Sequence, residues 1–283
     1  MSLYRLERTT ALTAPTMLVA FDGWVDAGSA ATTALEHLAG ESPAIATFDA
    51  DQIFDYRARR PPLEIVDGKL AELTWPDLVL RHVRIADRDL LVLVGSEPDY
   101  RWRALVEATL DLTRTLGVRE WISLGAIPAA VPHTRPVPIL GTESEPGLLR
   151  ADVAAGPAGI LRVPSALVSA LEFEVSRAGV PSVGYFAQVP HYISGPYPAA
   201  SVALLETLGQ HLRLRLPPGD LAEEAEQLRT RLDAAAAVEE TTRTYVERLE
   251  SMVDEERLPA GDDLIADIER FLRDRGGESS SQR

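Results

Sequence analysis

Four carboxylates, one serine, two histidines and one arginine stand at or just beyond apolar runs, where chemistry is most often placed in an open α/β sheet. In Phe21-Asp22-Gly23-Trp24-Val25-Asp26-Ala27-Gly28, an apolar run ends and a helical pattern begins. The carboxyl ends of strands are where such sheets bind ligands. Glycines there let the backbone come close to a ligand, and a helix N-terminus offers free N–H donors to an anion. Gly95-Ser96-Glu97-Pro98-Asp99-Tyr100 repeats the arrangement. Gly125-Ala126-Ile127-Pro128 leads into His133-Thr134-Arg135-Pro136 and then Gly141-Thr142-Glu143, and Val189-Pro190-His191-Tyr192 closes a fourth run. As one constellation, Arg135 and Ser96 could bind an anion, Asp22 or Glu143 could act as general acid or base, and His133 could shuttle a proton. The candidate ligand-binding set is therefore Asp22, Gly23, Trp24, Asp26, Ser96, Glu97, His133, Arg135, Glu143 and His191.

A purely architectural reading covers the same residues. Asp26 and Asp99 would cap helices, Gly23 and Gly28 would serve a turn, Trp24 would pack, and His133 and Arg135 would clasp neighbouring backbone. No residue earns a catalytic assignment on sequence alone. G-x-G-x-x-G and Walker A spacings do not occur, and Ser96 is not in a nucleophile elbow because Gly95 directly precedes it and Pro98 replaces the second glycine. His37, His82 and His211 lie in ordinary helix or strand contexts, and no histidine pair has zinc-binding spacing. Cysteine is absent, which removes disulfides, zinc-thiolate and iron–sulfur ligation and thiol nucleophiles. No metal or cofactor is expected.

The elements that must position these groups are legible in the periodicity. Strands are expected at 17–21, 44–48, 63–66, 79–85, 90–94, 121–124 and 183–189, and helices at 26–38, 100–116, 165–178 and 199–214. The runs at 17–21 and 90–94 are apolar on successive residues, as in strands buried on both faces, which predicts a mostly parallel sheet flanked by helices with these two inside it. Asp67-Gly68 between two strand-like runs signals a peripheral hairpin.

The 283 residues carry 28 basic and 43 acidic side chains, a net charge of −15. That balance, without a basic block, argues against nucleic acid and against anionic membrane as partners. No apolar run reaches a membrane span and the first residues lack a signal peptide, so a cytoplasmic location is expected. Residues 220–283 hold a net −9 and the remainder −6. Leu216-Pro217-Pro218-Gly219 sits at the change, so the expected domains are an α/β core (1–219), a C-terminal acidic helical hairpin (220–275) and a disordered tail (276–283). The hairpin is expected as one long amphipathic helix over 221–253, begun by Asp220, followed after Pro259-Ala260-Gly261 by a second helix with Leu264, Ile265, Ile268, Phe271 and Leu272 on its apolar face.

Taken in order, GWVDAG at 23–28, EPDYRW at 97–102, GAIPAAVPHTRP at 125–136 and VPHY at 189–192 resemble the proteasome assembly chaperone 2 family in its actinobacterial branch. The resemblance runs from about residue 15 to 275. It implies a phosphorylase/hydrolase-like α/β core, self-association as a homotrimer or a multiple of it, and a chaperone role toward proteasome subunits. Bacterial members carry no assigned biochemical role. Archaeal members end in a hydrophobic-tyrosine-any tail, whereas this chain ends Ser281-Gln282-Arg283. Two functions follow as expectations. The first is a non-enzymatic, oligomeric interaction protein. The alternative is a phosphorylase- or hydrolase-like enzyme acting on a small anionic or nucleoside-like ligand at the strand ends.

Overall fold

In the computed structural model, which describes residues 3–7, 11–151, 153, 155–156 and 159–256, the two uninterrupted apolar runs lie side by side in the middle of one sheet. The elements in chain order are β1 (Tyr4–Leu6), β2 (Thr16–Asp22), α1 (Ala30–Ala39), β3 (Ala44–Phe48), α2 (Ala50–Ile53), β4 (Leu63–Val66), β5 (Lys69–Leu73), β6 (Leu78–Ile85), β7 (Arg88–Ser96), α3 (Trp102–Leu116), β8 (Glu120–Ala129), β9 (Ile139–Glu143), α4 (Leu167–Arg177), β10 (Ser182–Pro190), α5 (Pro198–Leu212), α6 (Leu221–Val238) and α7 (Glu240–Glu256). The sheet order is β1-β3-β6-β7-β2-β8-β10-β9. Strands β7, β2, β8 and β10 are mutually parallel, β3 shares their direction, and β1, β6 and β9 run against it.

Burial explains why the central runs lack polar alternation. Met17, Leu18, Val19 and Ala20 of β2 and Leu90, Leu91, Val92 and Leu93 of β7 are all fully buried, alternate residues facing opposite layers. One layer is built on α1 and α5 with Leu35, Leu204 and Leu208, and the other on α3 and α4 with Leu105, Leu112 and Leu171. The expected hairpin is present: Asp67 and Gly68 have φ of 51° and 76°, left-handed values that fit the twist of the strands β4 and β5 they join.

Three short elements, β1, β9 and α2, were not anticipated by periodicity. The helix expected over 221–253 is two helices. Glu239 between them is extended (φ −107°, ψ 115°), and its carboxylate accepts the hydroxyls of Thr241 and Thr242 at 2.8 and 2.9 Å. The apolar stripe lapses at 239 and 242, so no packing opposes this local alternative to helix. The chain folds back there, and Asp233 of α6 and Glu250 of α7 both reach the loop at 133–135. Asp220 opens α6 without a side-chain capping bond. The helix expected from Asp262 and the tail lie outside the described residues. Among the described residues no helix is long and apolar enough to cross a membrane.

Candidate functional site

The pairing register brings Asp22, the last residue of β2, directly beside Ser96, the last of β7. From β2 the chain turns to α1 on one face of the sheet, and from β7 it turns to α3 on the other. Loops that part in this way leave a crevice at a strand-order switch. Asp22 organises its floor. Its oxygens accept Nη1 of Arg59 at 2.8 and 3.0 Å, the Ser96 hydroxyl at 3.1 Å and the Glu97 N–H at 3.0 Å. Nη2 of Arg59 donates to the Glu97 carbonyl at 3.2 Å. A cavity of about 510 Å³ opens here, lined among others by Asp22, Ser96, Thr33, Glu36, Arg59 and Asp77.

Neighbouring candidates are spent on architecture. The Glu97 carboxylate accepts the N–H of Leu167, the first residue of α4, at 2.7 Å, and burial raises its pKa even though bonds from the Leu167 and Trp24 N–H groups pull the other way. Gly23 has φ +119°, and a Cβ there would lie 3.2 Å from a Glu97 oxygen. The Trp24 side chain is exposed rather than packed. Asp26 is buried, accepts the N–H of Ala31 at 2.7 Å and that of Thr32 at 3.4 Å, and also takes the Thr32 hydroxyl. It thus ties down the start of α1, and burial raises its pKa above the ordinary carboxylate range. Asp99 caps no helix; it accepts the Asp55 N–H at 2.8 Å.

A second polar cluster lies at the ends of β8 and β10. The His133 N–H donates to the Tyr192 hydroxyl at 2.8 Å, and the same hydroxyl is 2.7 Å from ring Nδ1. Nε2 of His133 lies 3.3 Å from Asp233 of α6. Arg135 grips α7, with Nε and Nη2 on the Asp254 carboxylate at 3.1 and 2.8 Å and Nη1 on Glu250 at 3.1 Å. These acids hold its guanidinium pKa above the usual arginine value, Asp254 first. His191 sits between the Ala129 carbonyl at 3.1 Å and the Tyr245 hydroxyl of α7 at 3.2 Å. A cavity of about 540 Å³ runs beneath, lined by His133, Arg135, Tyr197, Glu206 and Arg229 among others.

The ten sequence candidates therefore do not share one cleft. Asp22 and Ser96 line the first cavity, His133 and Arg135 the second, and the two cavities have no lining residue in common. Glu143 belongs to neither: at the end of edge strand β9 its Oε2 collects the N–H groups of Gly147, Leu148 and Leu149 at 3.0, 2.9 and 3.0 Å. Sequence reasoning missed Arg59, although the basic run Arg57-Ala58-Arg59-Arg60 before two prolines was visible. It also missed Glu250 and Asp254, which carry no local signal.

Arg135→Ala is expected to loosen α7 specifically. Amide exchange over 240–256 should speed up while exchange in β2 and β7 stays as it was, because the guanidinium bonds only the helix. Uniform acceleration across the sheet would show that Arg135 supports the core instead.

The PAC2 family profile matches residues 20–236, from β2 almost to the end of α6. No protein of curated function matches the chain. A Streptomyces avermitilis PAC2 family protein is 37% identical, with 82% of this chain and 99% of that one covered and a TM-score of 0.72. A Mycobacterium tuberculosis proteasome-assembly chaperone homologue is 33% identical, with 82% and 99% covered and a TM-score of 0.73. A Corynebacterium glutamicum protein of unknown function is 32% identical over 90% and 98%, with a TM-score of 0.82. With more than two thirds of its length matched by the profile and the same fold in relatives above 30% identity, the chain belongs to the PAC2 family.

Proposed function

We propose that this protein is an oligomeric, chaperone-like interaction protein of the cytoplasm, with proteasome subunits as its partner class, and not an enzyme. One observation carries the reading: the groups that a catalyst would present at the strand ends are consumed by the protein itself. Asp22 is filled by Arg59, Ser96 and an N–H, Glu97 and Asp26 by helix starts, Glu143 by a turn, and Arg135 by α7. The relative described as a proteasome-assembly chaperone homologue supports the partner class. Co-expression with proteasome α-subunits of the same source tests it. Co-elution of the full chain with assembly intermediates, absent from mature particles, is the expected result, and no association at micromolar concentrations overturns it.

The switch-point cavity favours a second reading, a phosphorylase- or hydrolase-like enzyme for a small anionic or nucleoside-like ligand. Its lining includes Asp22, Arg59, Ser96, Thr33 and Glu36. Thermal shift with inorganic phosphate and a nucleoside separates the readings. A rise in melting temperature that Asp22→Asn abolishes would support the enzyme.

A further inference from the structure

Among the described residues the ribbon β4–β5 pairs with no other strand, and every residue in its two strands is exposed. Its register places Leu63 opposite Leu73, Glu64 opposite Glu72, Ile65 opposite Leu70 and Val66 opposite Lys69, with a bulge between the second and third pairs. Alternation then gathers Leu63, Ile65, Leu70 and Leu73 on one face and leaves Glu64, Val66, Lys69 and Glu72 on the other. The four apolar residues are 49, 58, 75 and 47% exposed, and Trp75 beside them is 53% exposed. An isolated two-stranded ribbon is marginal in water, and an amphipathic one needs its apolar face covered.

We infer that this face is where a second copy of the chain docks, ribbon on ribbon. The inference rests on the self-association in the functional reading above and gives it a location. Two arguments favour a second copy over another partner. The first is area. Leu63, Ile65, Leu70, Leu73 and Trp75 expose roughly 500 Å² of apolar side chain, in the upper part of the range for the largest patch on an ordinary monomer, and two such faces together reach the ~1,000 Å² that a biological interface should clear. The second is charge. A chain of net −15 repels its own copies, yet residues 57–77 hold four basic (Arg57, Arg59, Arg60, Lys69) and four acidic (Glu64, Asp67, Glu72, Asp77) side chains and are neutral. Copies that meet through this segment avoid the acidic C-terminal helices. The roots of the ribbon, Pro62 and Thr74 to Asp77, also wall the switch-point cavity, so docking takes place at its mouth.

Sedimentation velocity of the full chain against Ile65→Asp with Leu70→Asp tests the inference. The wild type is expected to sediment above its 30.8 kDa chain mass at micromolar concentration, and the double variant to need at least 100-fold more protein to associate, at an unchanged melting temperature. Leu70→Lys alone, at the most exposed of these positions, repeats the test if the double variant melts early. A wild type that stays a monomer overturns both the inference and the self-association it rests on. An oligomer that both variants leave intact overturns only the inference.

Discussion

Replacing Gly95 by alanine is expected to lower the melting temperature by roughly 10 °C. Gly95 has φ +152°, and an added Cβ would stand 2.3 Å from the Asp77 carbonyl oxygen and 3.1 Å from Leu78 Cα. Both neighbours are backbone, so no side chain can swing away. The backbone conformation alone costs an L-residue about 1–3 kcal/mol, and the contact forces β6 away from β7 where Leu78 pairs with Gly95. A combined loss of ~3–5 kcal/mol corresponds to roughly 10 °C in a domain of this size. The same carbonyl accepts the Ser96 N–H at 3.0 Å, so the strand end that holds Asp22 is displaced with it. Thermal melts followed by circular dichroism decide the matter, and a fall of less than 2 °C would mean that the β6–β7 contact gives way cheaply.

Gly95 shows what could be read from the chain and what could not. An apolar run ending in glycine marks a buried strand and its exit, and the sheet confirms both for β7 and β2. Which strands are neighbours is not written in any run. Asp22 meets Ser96 only because β7, reached through β3 and β6, comes back to pair with β2, 74 residues later. Arg59 closes the cluster from 37 positions away, and Asp254 reaches Arg135 across 119. Such pairs depend on tertiary packing, which a local pattern does not encode.

Length governed the other omissions. β1, β9 and α2 span three, five and four residues, too few for a period of 2 or 3.6 to stand out. The Asp-Gly ribbon was legible because its signal is chemical, two residues that tolerate positive φ. The break at Glu239 was visible as a lapse in the apolar stripe, but a lapse weakens packing without saying whether the helix ends, and here the two threonine hydroxyls decide it. The single cleft failed for a related reason. Groups at the ends of four parallel strands share one end of the sheet, yet α7 lies over the β8 and β10 ends and binds His191 and Arg135 to itself.

Asp26 gives the second large effect, and its direction depends on pH. Asp26→Ala strands the N–H groups of Ala31 and Thr32 and the Thr32 hydroxyl at a site only 7% exposed. Unpaired buried donors cost ~1–3 kcal/mol each, partly relieved where water enters, so a total of about 3 kcal/mol is expected. The backbone of Asp26 also bridges to Ala126 of β8, so the start of α1 loosens together with the sheet. Burial raises the folded pKa of Asp26 above the unfolded value of about 3.9. The folded protein therefore binds this proton more tightly than the unfolded chain does. The stability gained is complete below the unfolded value and is lost as pH rises through the folded one, so at neutral pH the charge is a burden that the three donors only partly offset. Asp26→Asn keeps an acceptor and removes the charge. It should match or exceed the wild type in urea midpoint at pH 7 and lose that advantage as the pH falls toward 4, while Asp26→Ala stays weaker throughout. If Asp26→Asn proves as damaging as Asp26→Ala at pH 7, the start of α1 requires a negative charge, and not merely an acceptor, at this position.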